Sequence, residues 1–227
     1  MFLSIANKIK WKLLGVAAAI VAALVVVGIN WWDAPIFLFL RRFNCGLFEL
    51  FGYVFATKVW LVASAIVLVV FYIKKIVNSG IKYKSTTNRF SVTVFLRDFI
   101  VKTKNSYAFF TFCSIFSATV VTGLLKVMIG RARPVFFEAL GITGFYPFSF
   151  DWAFNSMPSG HAAASFAALV TLGMLVPRVK PATWTLAIII GVSRVCVGAH
   201  WPSDVLLGAF IGMVAADFVI ATLRRIK

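Results

Sequence analysis

The chain alternates long apolar runs with short basic stretches. A helix needs about 20 mostly apolar residues to cross a bilayer, and six runs serve as crossings. The first is expected over Lys12–Asn30, and Trp31 and Trp32 follow as interface anchors. The second lies between Leu47 and Ile73, where Lys74 and Lys75 stop it. The third runs over Tyr107–Ile129. The fourth opens at Ser159 and closes before Pro177. The fifth covers Ala182–Val197 and the sixth Pro202–Leu223.

Two further segments read as helices that lie on the membrane. Ala34–Phe43 is apolar, too short to cross, and interrupted by Arg41 and Arg42. Lys74–Asn105 is the most basic stretch, with Phe90, Val94, Phe95, Phe99 and Ile100 at helical spacing, a pattern suited to anionic lipid. The expected fold is all-α: a polytopic membrane protein, a bundle of six transmembrane helices with an interfacial helix. Residues 1–227 form one domain in this reading. Lys8, Lys10 and Lys12 precede the first run as in a secretory signal, but the run is too long and no small-x-small site precedes Trp31. An uncleaved anchor is expected.

Composition agrees with this pattern. The 227 residues are 61% hydrophobic and 13% charged, where soluble domains average about 45–50% and about 25%. A net charge of +16 would point to nucleic acid in a soluble protein. Here the lysines and arginines flank the spans, so membrane lipids are the expected partner and nucleic acid is not. Three basic residues precede the first span, eight lie between the second and third, two in the Pro177–Pro181 turn and three in the C-terminal tail. These make 16 of the 23 lysines and arginines on one side, which the positive-inside rule assigns to the cytoplasm with both termini. Cys45, Cys113 and Cys196 show neither paired nor zinc-ligand spacing. No metal and no cofactor is expected.

Both histidines fall in the most distinctive part of the chain. Pro158-Ser159-Gly160-His161 opens the fourth span; Ser193-Arg194, five residues and then His200-Trp201-Pro202-Ser203-Asp204 bridge the fifth and sixth. Upstream, Lys126 is followed after six residues by Arg133-Pro134. The six-span topology puts all three pieces at the extracytoplasmic face. Lysine and arginine clamp phosphate oxygens, and helix N-termini add unpaired N–H groups and positive potential. Pro158 and Pro202 suit helix starts, and Gly160 allows an anion close to the backbone. Histidine moves protons or attacks phosphorus near neutral pH. On this reading His200 attacks, Asp204 orients its ring, and His161 protonates the leaving oxygen.

These three pieces, in this order and spacing, resemble the type 2 phosphatidic acid phosphatase superfamily, whose motif residues are all present within 126–204. The resemblance implies a metal-independent phosphohydrolase with a phosphohistidine intermediate, with His200, His161 and Asp204 catalytic and Lys126, Arg133, Ser159, Gly160 and Arg194 holding phosphate. Its substrate would be a phosphorylated lipid, of lipid A 1-phosphate, undecaprenyl diphosphate or phosphatidylglycerophosphate type. The basic cytoplasmic face and the lack of a large soluble domain point separately to a bacterial inner membrane. A lipid phosphotransferase using the same intermediate and a non-catalytic membrane protein are the alternatives.

Some polar residues fall outside the motifs. Arg131 is expected at the rim of the site or as a second phosphate contact. Glu138 and Asp151 are expected as solvated loop residues, and Lys58 and Glu49 at the outer rim. Asp217 is expected to pair with a cytoplasmic-side lysine or arginine. The aromatic loop 136–154 is a lid or an interfacial anchor.

Overall fold

A computed structural model describes residues 1–3, 8–78 and 92–225. No strand occurs among them, only the isolated bridges Leu3–Ile9 and Arg131–Phe145. Ten α-helices follow in order: α1 Trp11–Val27, α2 Asp33–Arg41, α3 Gly46–Val54, α4 Thr57–Asn78, α5 Val92–Thr103, α6 Tyr107–Ile129, α7 Pro134–Leu140, α8 Gly160–Leu175, α9 Lys180–Cys196 and α10 Pro202–Arg225. The segments α1–α2, α4, α6, α9 and α10 are long and apolar enough to cross a membrane. The shorter apolar helix α8 is the remaining expected crossing.

Helix α8 is the centre of the bundle. Alanines and other small residues make up much of it, and it is buried along nearly its whole length. It packs against α6, α9 and α10. Gly208 and Gly212 of α10 bring the two backbones together: a Cβ would come within 2.4 Å of the Ser159 and Ala163 carbonyl oxygens respectively. Without a hydrophobic drive between helices in lipid, such small-residue contacts hold membrane bundles together. Around α8 sits a core of Phe166, Leu169, Val170, Ala187 and Ile190. The outer helices show apolar side chains outward, including Val16 and Ile20 of α1 and Val62 and Ile66 of α4. An integral membrane protein needs no apolar core on its lipid face.

The N-terminal region differs from expectation. Ala34–Phe43 does not lie apart as an interfacial helix. The first span runs through a π-helical turn at Gly28–Trp32 straight into α2. Pro35 has no N–H to give, and a π turn just before it absorbs the lost bond. The turn carries Asp33 and Phe37 into the protein, where both are buried. Phe37 meets Trp201 edge-on at 5.3 Å. Gly28 permits this approach, because a Cβ there would lie 3.0 Å from the Cβ of Ser203.

The second expected span is also broken, into α3 and α4 around Phe55 and Ala56. Amphipathic α5 lies against α4. Tyr72 Oη donates to Asp98 at 2.8 Å, Lys102 pairs with the same carboxylate at 2.8 Å, and Phe99 packs on the Tyr72 ring. These hydrogen bonds, that from Lys102 first, hold the Asp98 carboxyl below its usual range. Lys82, Lys84, Arg89 and Phe90, counted in that basic segment, lie outside the described residues. Asp217 is buried, and it pairs with neither lysine nor arginine: it accepts from the Met1 ammonium at 3.0 Å and the Phe2 N–H at 2.6 Å. Helix periodicity cannot reveal a partner 216 positions away.

Candidate active site

Helices α6 and α9 end where α8, α10 and α4 begin, and the three sequence motifs meet there. A cleft of about 360 Å³ opens between them. Lys126, Arg133, Gly160, His161 and His200 line it, together with Ala56, Thr57, Lys58, Trp152 and Ala199. Five of the eight expected site residues therefore share one cavity. Lys58 brings a further cation, lining the cleft as well as sitting at its rim.

Ser159, Arg194 and Asp204 lie behind it, buried. Ser159 is the N-cap of α8: its Oγ accepts from the Ala162 N–H at 3.4 Å, and its own N–H donates to the Asp204 carbonyl at 2.9 Å. Pro202 is the first residue of α10, as expected, while Pro158 stands before the cap of α8 and does not open the helix. Arg194 donates to the Phe48 carbonyl of α3 and to Ser193 Oγ.

The cations of the cleft rest on backbone oxygen. Lys126 Nζ donates to the Asn155 carbonyl at 2.5 Å. Arg133 spends its fork on the carbonyls of Trp152 (2.9 Å), Ala199 (2.9 Å) and Asn155 (3.3 Å), and stacks 4.3 Å from the Trp152 ring. Neither has a carboxylate within ion-pair distance among the described residues. Carbonyls orient a cation without cancelling its charge, so the cleft stays electropositive. Burial pulls the Arg133 guanidinium down to about 10, still protonated at neutral pH.

The histidine rings stand 6.4 Å apart, centroid to centroid. His161 Nε2 lies 3.0 Å from the Gly52 carbonyl, which can only accept, so Nε2 carries the proton. His200 is almost fully buried. Burial first, then the nearby cations Arg133 and Lys126, push its pKa well below the usual imidazole range, so its ring is neutral near pH 7. Its Nδ1 faces Asp204, leaving Nε2 for the cleft.

Asp204 does not hydrogen-bond that ring as expected. Oδ2 lies 3.9 Å from Nδ1 of His200, and Nδ1 has no hydrogen-bond partner. The Asp204 oxygens are otherwise engaged: Arg131 Nη1 donates to Oδ1 at 2.7 Å, while Ser156 Oγ at 2.5 Å and the Trp201 N–H at 2.9 Å donate to Oδ2. Arg131 is thus neither rim charge nor phosphate contact. It is buried and bridges Asp204 to Asp33, with Nη2 donating to Asp33 Oδ2 at 2.7 Å. Asp33 escaped the sequence reading, though it had a signal: it is the lone acidic residue in the first 48 positions, set directly after two tryptophans. The other carboxylates have partners of their own, and Glu138 is not a solvated loop residue as expected but part of α7. Asp151 caps a short turn through the Ala153 N–H, Glu138 pairs with Arg41 at 3.1 Å, and Glu49 accepts from Asn44 at 3.1 Å.

The family model of the PAP2 superfamily matches residues 107–226, which take in α6 to α10 and every motif residue. The chain belongs to the PAP2 superfamily. It is similar to the lipid A 1-phosphatase of Rhizobium johnstonii, 45% identical over 107 residues, 47% of this chain and 43% of that protein. The lipid A 1-phosphatase of Rhizobium etli is 42% identical over 103 residues, 45% of this chain and 44% of that protein. The chain matches less than half the length of these curated relatives. Among solved structures, that of Aquifex aeolicus LpxE overlays with a TM-score of 0.48 and 19% identity, covering 85% of this chain and 97% of that one.

Proposed function

We propose that this PAP2 superfamily member is a membrane lipid phosphatase, built as one unit over residues 1–227, with a phosphohistidine on His200 as its intermediate. One observation carries the reading: two histidines face a single electropositive cleft at one end of a membrane bundle. A phosphoryl group spreads negative charge over three oxygens during transfer, and fixed cations lower that barrier. Lys126 and Arg133 supply them from the cleft, with Arg194 behind. The Gly160 backbone and the α8 N-terminus add donors, with the Ser159 hydroxyl as cap.

The roles follow from the rings. Neutral His200 attacks phosphorus through Nε2; the P–N bond forms as the P–O bond to the lipid breaks. His161, as the imidazolium, gives its Nδ1 proton to the departing oxygen and keeps the Nε2 proton on Gly52; the neutral ring then takes a proton from the water that attacks phosphohistidine. Inorganic phosphate leaves and His200 is regenerated.

The cleft lies at a bundle end, where a lipid headgroup rests while its chains stay in the bilayer. A lipid phosphate is accordingly the proposed substrate, and the lipid A 1-phosphatases among the relatives favour lipid A 1-phosphate within that class. The asymmetry of basic residues favours both termini in the cytoplasm and the cleft at the extracytoplasmic face of a bacterial inner membrane. The test is phosphate release by the purified protein in detergent, with a chelator present, from lipid A, prenyl diphosphate and phosphatidylglycerophosphate. Release from at least one, lost in His200→Ala, is the expected result. No release from any of them overturns the reading.

A further inference from the structure

Asp33 lies outside the region matched by the family model and belongs to the first span, yet its carboxylate is bound into the motif end of the protein. Oδ1 accepts from the Ser203 N–H at 2.9 Å. Ser203 is the second residue of α10, so Asp33 caps that helix from another element and satisfies one of its unpaired N–H groups. Oδ2 accepts from Arg131 Nη2 at 2.7 Å and from Ser203 Oγ. Arg131 lies over the Trp201 ring at 5.2 Å and donates to both Ser203 Oγ and Asp204. Asp33, Arg131, Ser203 and Asp204 are all buried.

The formal charges of this cluster do not cancel. Two carboxylates share one guanidinium, leaving one net negative charge. On the cleft side of that charge stands the His200 ring, whose Nδ1 has no hydrogen-bond partner and is 3.9 Å from Asp204. With Arg131 bound to Asp204 alone, the pair would be neutral and His200 would face no field of useful sign.

We infer that Asp33 is a positioning residue for phosphoryl transfer: by sharing Arg131 it leaves Asp204 with negative charge to set against the His200 ring, and by capping α10 it fixes where that ring stands. The inference rests on the proposed phosphatase function. Attack by Nε2 leaves the ring protonated at Nδ1 and bonded to phosphorus, hence cationic. A net negative cluster behind Nδ1 stabilises that cation and the transition state before it. In a buried setting such a charge acts at low dielectric and is worth far more than at a surface.

The test compares wild type, Asp33→Asn and Asp33→Asn/Arg131→Gln, purified in detergent. Asp33→Asn keeps the shape and the acceptor for Ser203 but leaves the cluster neutral. Its kcat should fall by about 10- to 100-fold, the size of coupling seen within buried networks, with KM within about threefold. Its affinity for orthovanadate, which takes the five-coordinate geometry of transfer, should fall in parallel. The double variant restores one net negative charge on Asp204, so its kcat should rise above that of Asp33→Asn. A role in folding alone predicts the reverse order, the double variant being worse than the single.

Wild-type kcat and vanadate affinity in folded Asp33→Asn overturns the inference and leaves the phosphatase reading intact. So does a double variant below the single. If Asp33→Asn does not fold, the double variant decides: kcat within about tenfold of wild type supports the inference, and any greater loss overturns it. A wild-type protein that neither releases phosphate nor binds vanadate removes the phosphatase reading, and the inference with it.

Discussion

His161 Nε2 donates to the carbonyl oxygen of Gly52 at 3.0 Å, tying the first turn of α8 to helix α3. That bond holds the Nε2 proton, so the proton that the proposed chemistry gives to the leaving oxygen is the second one, carried on Nδ1 of the imidazolium. In His161→Ala, nothing protonates the leaving group, and the penalty should scale with how much protonation it needs. An aryl phosphate should therefore retain at least about tenfold more of its wild-type kcat than an alkyl lipid phosphate. Equal losses on both substrates, measured side by side, would remove His161 from the role of acid.

Helix α3 also receives Arg194, through the Phe48 carbonyl. A Cβ at Gly52 would lie 2.3 Å from Arg194 Nη1, so Gly52→Ala must push the guanidinium aside. The far end of a flexible side chain moves cheaply, so the melting temperature should change little. Catalysis should not be spared: kcat/KM should fall by about tenfold or more if Arg194 meets phosphate, equivalent to about 1.4 kcal/mol. Steady-state kinetics beside thermal unfolding distinguish the two effects.

Acid should weaken the fold through His200. Its folded pKa is depressed, by burial first and by Arg133 and Lys126 next, while in the unfolded chain it titrates normally. Between those two values the unfolded state binds the extra proton, so stability rises with pH and is lost as pH falls below about 6.5. The slope from one such group is about 1.4 kcal/mol per pH unit. Thermal unfolding in detergent at about pH 7.5 and about pH 5.5 should show a larger loss in wild type than in His200→Gln. Identical losses would mean that His200 is not held neutral.

Orientation is open to labelling. Asp151 in the aromatic loop and Arg178 in the turn before α9 are both exposed and lie at opposite ends of the bundle. With the exposed Cys45 replaced by Ser, a cysteine at 151 should react with an impermeant maleimide in intact cells, and one at 178 only after lysis. The opposite pattern would put the cleft in the cytoplasm.

Much of this molecule was legible in its sequence, for physical reasons. Apolar length fixes where helices cross, and α6 runs from Tyr107 to Ile129 as the pattern predicts. Motif spacing put Lys126, Arg133, Gly160, His161 and His200 in one cleft because consecutive antiparallel spans return to the same face. Hydropathy could not show that the second span breaks at Phe55 and Ala56, since the segments on both sides of the break, like the break itself, are mainly apolar. Nor could it show that Pro35 is met by a π turn and the first span continues. Asp33, Arg131 and the Met1 ammonium found their partners across 73 to 216 positions of sequence. Such pairs depend on which helices pack together, which local pattern does not encode. Spacing of one turn suggests a hydrogen bond from the His200 ring to Asp204, but the two stand 3.9 Å apart because Arg131, Ser156 and the Trp201 N–H claim the carboxylate.

The covalent intermediate on His200 is the centre of the account, and trapping it with a ³²P-labelled lipid phosphate in a denaturing alkaline quench tests it most directly. Wild type should yield an acid-labile, base-stable label that maps to the peptide containing His200. His161→Ala should still carry some label when an aryl phosphate is the donor, and His200→Ala should carry none. Label retained on His200→Ala and lost from His161→Ala would contradict the account and exchange the two roles.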